Sequence, residues 1–88
     1  MLILIKSNKL QTPKSIEQEY PSCKYLFTDF TDVNDMIGHL YAVSEDKDSF
    51  REICALSDEL ADEGIASIVM GDYNDGGMKI GVQREFRQ

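Results

Sequence analysis

The chain contains a single histidine, His39, so any acid–base or nucleophilic site that requires an imidazole has to use it. Ser44 and Asp46 follow closely, but a Ser-His-Asp triad is assembled in space by the fold, so this spacing alone predicts no triad. Cys23 is a second candidate nucleophile, because the ammonium group of the neighbouring Lys24 favours the thiolate. We expect a structural or surface role for His39 and two free, buried cysteines. The sequence predicts no catalytic residue and no enzymatic activity.

Two clusters of Asp and Asn side chains offer the oxygen ligands that calcium and magnesium prefer. Neither has the spacing of a calcium-binding loop with its distant Glu, and Asx residues are common in turns. The glycines Gly71, Gly76 and Gly77 join strand to strand and precede no Lys-Ser or Lys-Thr pair, so they predict no phosphate loop. We therefore expect no metal and no cofactor. The two clusters are Asp29, Asp32, Asn34 and Asp35, and Asp72, Asn74 and Asp75.

Charge is strongly segregated along the chain. Residues 29–75 contain thirteen carboxylates against two basic residues, a formal charge of −11, whereas both ends are weakly basic and the total is −7. Such acidity disfavours direct binding to nucleic acid or to anionic membranes, which are themselves polyanions. The longest apolar run, Met1–Ile5, is too short for a signal peptide or a membrane span. We expect a cytoplasmic protein.

The elements that position these residues include one clear helix, from about residue 47 to residue 63. At 100° per residue, one arc of this helix is apolar, with Leu56 at its flank, and the opposite side is acidic. The candidate N-caps are Asp46, Asp48 and Ser49, and Ser49 has the spacing to form a capping box with Glu52. The helix is expected to end at Gly64. The apolar arc consists of Phe50, Ile53, Cys54, Leu60 and Ala61.

Strands are predicted on both sides of this helix. Met1–Ile5 has the continuous apolar character of a strand buried on both faces, and residues 24–30 alternate as a half-buried strand does. Between them, Thr12 and Pro13 favour the start of a short helix that Pro21 ends. A short strand over 39–43 precedes the long helix. After it, two strands flank the hairpin turn Asn74-Asp75-Gly76-Gly77.

An 88-residue chain of this composition predicts one domain spanning residues 1–88. The order of elements predicts an α+β fold, in which four to five mainly antiparallel strands form one sheet with the long helix packed on one face. A domain this small buries a modest fraction of its surface, so a homodimer is an ordinary way to cover more of it.

The first functional hypothesis is a non-enzymatic binding protein that docks a negative face on a basic protein partner, such as a nucleic-acid-binding enzyme. In size and charge alone the chain resembles small acidic inhibitors encoded by phages and other mobile elements, such as anti-restriction and anti-CRISPR proteins. The alternative is a structural or regulatory homo-oligomeric subunit of antitoxin-like type that pairs through exposed edge strands. The candidate partner-binding residues are Asp29, Asp32, Asp35, Asp48, Glu52, Asp58, Glu59, Asp62 and Glu63.

Overall fold

A computed structural model describes residues 1–7, 14–30 and 37–87, with the backbone alone for residues 29 and 30. The described chain contains strands β1 (Leu2–Lys6), β2 (Cys23–Phe30), β3 (Ile37–Val43), β4 (Ala66–Asp75) and β5 (Met78–Phe86), and helices α1 (Lys14–Glu19) and α2 (Lys47–Asp62). The strands form one antiparallel sheet in the order β2-β3-β1-β4-β5. The α+β fold with one long helix on a mainly antiparallel sheet is therefore confirmed.

Helix α2 begins and ends where local chemistry favours it. Asp46 is the N-cap residue. Its carboxylate accepts hydrogen bonds from the backbone amide of Ser49 at 2.8 Å and from the Ser49 hydroxyl at 3.0 Å. At the other end Gly64 has φ of 81°, and the amide of Ile65 donates to the carbonyl of Leu60, as in a Schellman motif. The capping box predicted for Ser49 and Glu52 is wrong, because Ser49 already belongs to the helix.

The buried side of α2 is rotated relative to the predicted apolar arc. Ile53, Leu56 and Leu60 are buried, whereas Cys54 is half-buried. Leu56, predicted at the flank, therefore belongs to the core, and Cys54, predicted in the core, lies near its margin. The cause is that α2 packs on β4 and β5 and also contacts the segment between α1 and β2 through Ser22, so contacts on two sides decide which residues it buries.

The hairpin of β4 and β5 forms around Gly76 and Gly77, as the turn signal predicts. Both glycines have positive φ, 60° and 87°, which is the requirement of a two-residue turn whose twist matches the strands. Where β4 passes Met1, Gly71 has φ of 119°, and a Cβ there would lie 3.0 Å from the Met1 Cα. Glycine is needed at this position for both its conformation and its small size.

Strand β1 is central in the sheet, but it is buried on one face only. Ile3 and Ile5 are fully buried, whereas Leu2 and Leu4 are half-buried. The prediction that Met1–Ile5 is buried on both faces is wrong for the second face, because α1 and α2 both contribute to the core on the first. That core includes Ile16 of α1, Ile53, Leu56 and Leu60 of α2, and Ile3, Ile5, Tyr41 and Val69 of the sheet.

Candidate interaction surfaces

The outward side of α2 and its C-cap form an acidic surface, which consists of the exposed residues Asp48, Asp58, Asp62 and Glu63. Among the residues that the structure describes, no Lys or Arg forms an ion pair with any of these four carboxylates. Asp62 and Glu63 also lie at the helix C-terminus, where the helix dipole disfavours anions. The exposed Arg51 lies on the same outward side of α2, one turn after Asp48 and two turns before Asp58, so the surface carries four carboxylates and one guanidinium and is net negative.

Two other predicted partner-binding residues of α2 have internal hydrogen-bond partners. Glu52 accepts a hydrogen bond from the Ser22 hydroxyl and is half-buried. Glu59 is exposed but accepts a hydrogen bond from the Tyr20 hydroxyl, and this bond is the main cause that raises the pKa of Tyr20 to about 12. These two carboxylates join α2 to the segment after α1, so at least part of their role is structural.

The remaining predicted acidic residues are not part of this helix. Asp29 lies on the edge strand β2, where its backbone pairs with Gly38, while Asp32 and Asp35 fall outside the described residues. Among the predicted residues whose side chains the structure describes, all belong to α2 or its C-cap.

The Asx-rich turn at the hairpin is accounted for by its own neighbours. Asp75 forms an ion pair with Lys47 at 3.4 Å, and Asp72 forms one with Lys79 at 3.8 Å. Asn74 contacts the start of α2 through its backbone, because its amide donates to the carbonyl of Glu45 at 2.8 Å. Within the described residues, no three His, Cys, Asp or Glu side chains come close enough to hold a metal ion.

The candidate nucleophiles are in unreactive environments. Cys23 is fully buried, and this burial, with the nearby carboxylates of Glu52 and Glu17, raises the pKa of its thiol to about 12. A thiol of this kind is protonated at neutral pH, so the activating effect of Lys24 does not prevail. Both cysteines are free thiols, as predicted, although Cys54 is only half-buried.

His39 is a buried residue of β3, which agrees with a structural role. Its Nδ1 lies 3.0 Å from the Thr28 hydroxyl on the neighbouring strand, and Nε2 has no partner among the described residues. Burial lowers the pKa of the imidazole below its ordinary value. The ring is therefore mainly neutral at pH 7, and the polar contact described for it is the Thr28 hydroxyl.

The sequence analysis missed a second surface, the apolar side of the sheet that faces away from both described helices. Strand pairing places side chains in rows across this side. One row consists of Lys24, Ala42, Leu2, Met70 and Gln83. The next row consists of Phe27, Leu40, Leu4, Ile68 and Glu85.

We call the apolar members of these rows the open face: Leu2, Leu4, Phe27, Leu40, Ala42, Ile68 and Met70. Phe27 is 54% exposed, and Leu26 beside it, at the bulge in β2, is 48% exposed. The signal for this surface was available in the sequence. The sequence predicts one long helix on one face of the sheet, which leaves the apolar residues of the other face without a described helix above them.

The chain matches no protein-family model, no curated protein and no solved structure. No helix in the described ranges is both long enough and apolar enough to span a membrane. Any functional conclusion therefore depends on the two surfaces.

Proposed function

We propose that this chain is a non-enzymatic binding protein that docks its acidic surface on a basic protein, most simply one whose basic site otherwise binds nucleic acid. The observation that supports this most is the set of four exposed carboxylates on α2 and its C-cap without an ion-pair partner in the described chain. Asp58 and Asp62 are one turn apart, about 6 Å along the axis, so these two carboxylates form a short row of negative charge.

Stability alone does not account for this row. Like charges one turn apart on a helix destabilise it slightly, and anions near the C-terminus oppose the helix dipole. A Lys or Arg in the last turn would favour folding more, yet α2 has none there. This loss of helix stability is understandable if the negative charge serves to attract a basic partner. Electrostatic steering accelerates association with a basic protein and suppresses binding to acidic proteins.

In this account the protein inhibits its partner by occupying the site at which the partner binds nucleic acid. A row of carboxylates held on a rigid helix competes with phosphates for Lys and Arg side chains that line a nucleic-acid channel. No covalent step and no cofactor is required. This mode of action is the one suggested by the resemblance in size and charge to the small acidic inhibitors of phages and other mobile elements.

The experiment is affinity capture of the tagged protein from the cells that produce it, at low and at high salt, with mass spectrometry of the captured proteins. We expect a basic protein at low salt that is lost at high salt, because screening weakens exposed charge pairs. The variant Asp58→Lys/Asp62→Lys should lose the same protein. Loss of Asp62 does not threaten the fold, since Lys is favourable at a helix C-terminus.

The matched control is Asp72→Lys/Glu85→Lys, which changes the net charge by the same amount on the side of the sheet opposite α2. Both carboxylates form surface ion pairs, with Lys79 and Arg87, so their removal costs little stability. Equal loss of the partner in both variants would show that net charge matters and the acidic surface does not, which would contradict the proposal.

A homo-oligomeric subunit of antitoxin-like type is the second candidate function, and the open face is the observation that favours it. The two candidates differ in their response to salt. Docking of the acidic surface weakens as salt rises, whereas apolar self-association persists or strengthens.

A further inference from the structure

The open face has the composition of an interface centre with a polar rim. Its middle consists of Leu, Ile, Met and Ala side chains on the three inner strands, and charged residues surround it at the ends of the rows. An apolar patch bordered by polar residues is the usual mark of a protein contact surface. The rim residues are Lys6, Lys24, Asp72, Lys79, Gln83 and Glu85.

The size of this side of the sheet fits a second copy of the chain. Strands lie about 4.8 Å apart and residues on one face repeat about every 6.6 Å, so five strands with three to four residues each cover roughly 600 Å². Two such faces in contact bury about 1,200 Å² in total, which is the lower limit of standard protein interfaces. Interfaces at this lower limit are typical of weak, reversible association, so we expect a dimer that dissociates on dilution.

Charge also permits this contact. Each copy has a net charge of −7, so most orientations of two copies are repulsive. Contact through the open face avoids much of this repulsion, because its rim contains both signs, including the ion pair between Lys79 and Asp72. The acidic surface belongs to α2 on the other side of the sheet, so two copies that meet through their open faces keep these carboxylates apart.

We propose that the chain forms a two-fold homodimer in which the open faces of two sheets pack against each other. Strand β1 lies at the centre of the sheet, so a two-fold axis that passes between the two β1 strands brings the apolar rows of both copies together. Stacked sheets pack about 10 Å apart with interdigitated side chains, as in a β-sandwich. The proposal does not depend on the acidic surface or on the proposed function.

The test is sedimentation velocity of the full chain from about 1 µM to about 500 µM, the range that spans a micromolar equilibrium. We expect a concentration-dependent shift from monomer to dimer that persists at 1 M NaCl, because burial of apolar surface is not weakened by screening. Phe27→Lys should raise the dissociation constant at least about tenfold, since it places a charge in the apolar contact.

Met78→Lys is the matched control, because Met78 is 68% exposed at the hairpin and lies outside the open face. It should leave the dissociation constant unchanged. Circular dichroism and thermal unfolding confirm that both variants fold. A second measurement uses Leu4→Cys, which lies near the proposed axis and should form a disulfide-linked dimer under mild oxidation, whereas Met78→Cys should not.

Two results would overturn the proposal. One is a monomer at every concentration, with no cross-linking of Leu4→Cys above the level of Met78→Cys. The other is a dimer that Met78→Lys weakens as much as Phe27→Lys does, which would place the contact at the hairpin or at the strand edges. Neither result bears on the capture of a basic partner, so the failure of the two proposals can be told apart.

Discussion

His39 is a residue whose burial predicts a pH dependence of stability. Its pKa in the folded chain is below the ordinary value of 6.5, because burial disfavours the charged imidazole. As the pH falls through 6.5, the unfolded chain therefore takes up the proton more readily than the folded chain. The free energy of unfolding should decrease from pH 7 to pH 5.

The measurement is urea unfolding at pH 7, 6 and 5 for the wild type and for His39→Asn, whose side-chain amide can still contact the Thr28 hydroxyl. The variant should lose most of the pH dependence in this window, since it removes the one imidazole of the chain. An identical slope in both proteins would show that His39 does not control it.

Gly71 is the second residue with a specific prediction. Gly71→Ala forces an L side chain to φ of 119° and places its Cβ against the Met1 Cα at 3.0 Å, where backbone has to shift. We expect a loss of about 1–3 kcal/mol in the free energy of unfolding, measured with urea. Gly81→Ala is the matched control on the partner strand, because its Cβ meets only the Asp72 carboxylate at 3.5 Å. A similar loss in both variants would contradict the close approach at Met1.

At the scale of elements, the orientation of α2 predicts that truncation of Leu56 costs more stability than truncation of Cys54, the reverse of the order that the sequence pattern predicts. Leu56 is 2% exposed, so Leu56→Ala should cost about 2–5 kcal/mol. Cys54 is half-buried, so Cys54→Ala should cost less than about 1 kcal/mol, although the sequence places Cys54 inside the apolar arc and Leu56 at its flank. Urea unfolding of both variants tests this. A larger loss for Cys54→Ala would mean that the sequence-derived arc is the correct one.

The same helix shows what the sequence can and cannot predict. Its bounds follow from Asp46 and Gly64, which act on neighbouring backbone groups, so a local pattern contains that information. The hairpin at Gly76 and Gly77 is predictable for the same reason. Other features depend on contacts between segments that are distant in the sequence, which a local pattern does not contain. They are the side of α2 that is buried, the hydrogen bonds of Glu52 and Glu59, and the exposure of Leu2 and Leu4.

At the scale of the whole molecule, the two surfaces lie on opposite sides of the sheet. The acidic surface faces outward from α2, and the open face is on the side without a described helix. A dimer through the open faces would therefore present two acidic surfaces pointing away from each other. Such a dimer is able to engage two basic sites at once, which raises its effective affinity for a partner that is itself dimeric.

The most direct measurement of the acidic surface is the association rate constant with the captured basic protein, determined from about 50 mM to about 500 mM NaCl for three chains: the wild type, Asp58→Lys/Asp62→Lys and Asp72→Lys/Glu85→Lys. Steering by the acidic surface predicts that the wild-type rate falls at least about tenfold over this range, and that the α2 variant is already slow at low salt while the control variant remains fast. Equal rates for the two variants at low salt, or a wild-type rate that does not change with salt, would contradict the account.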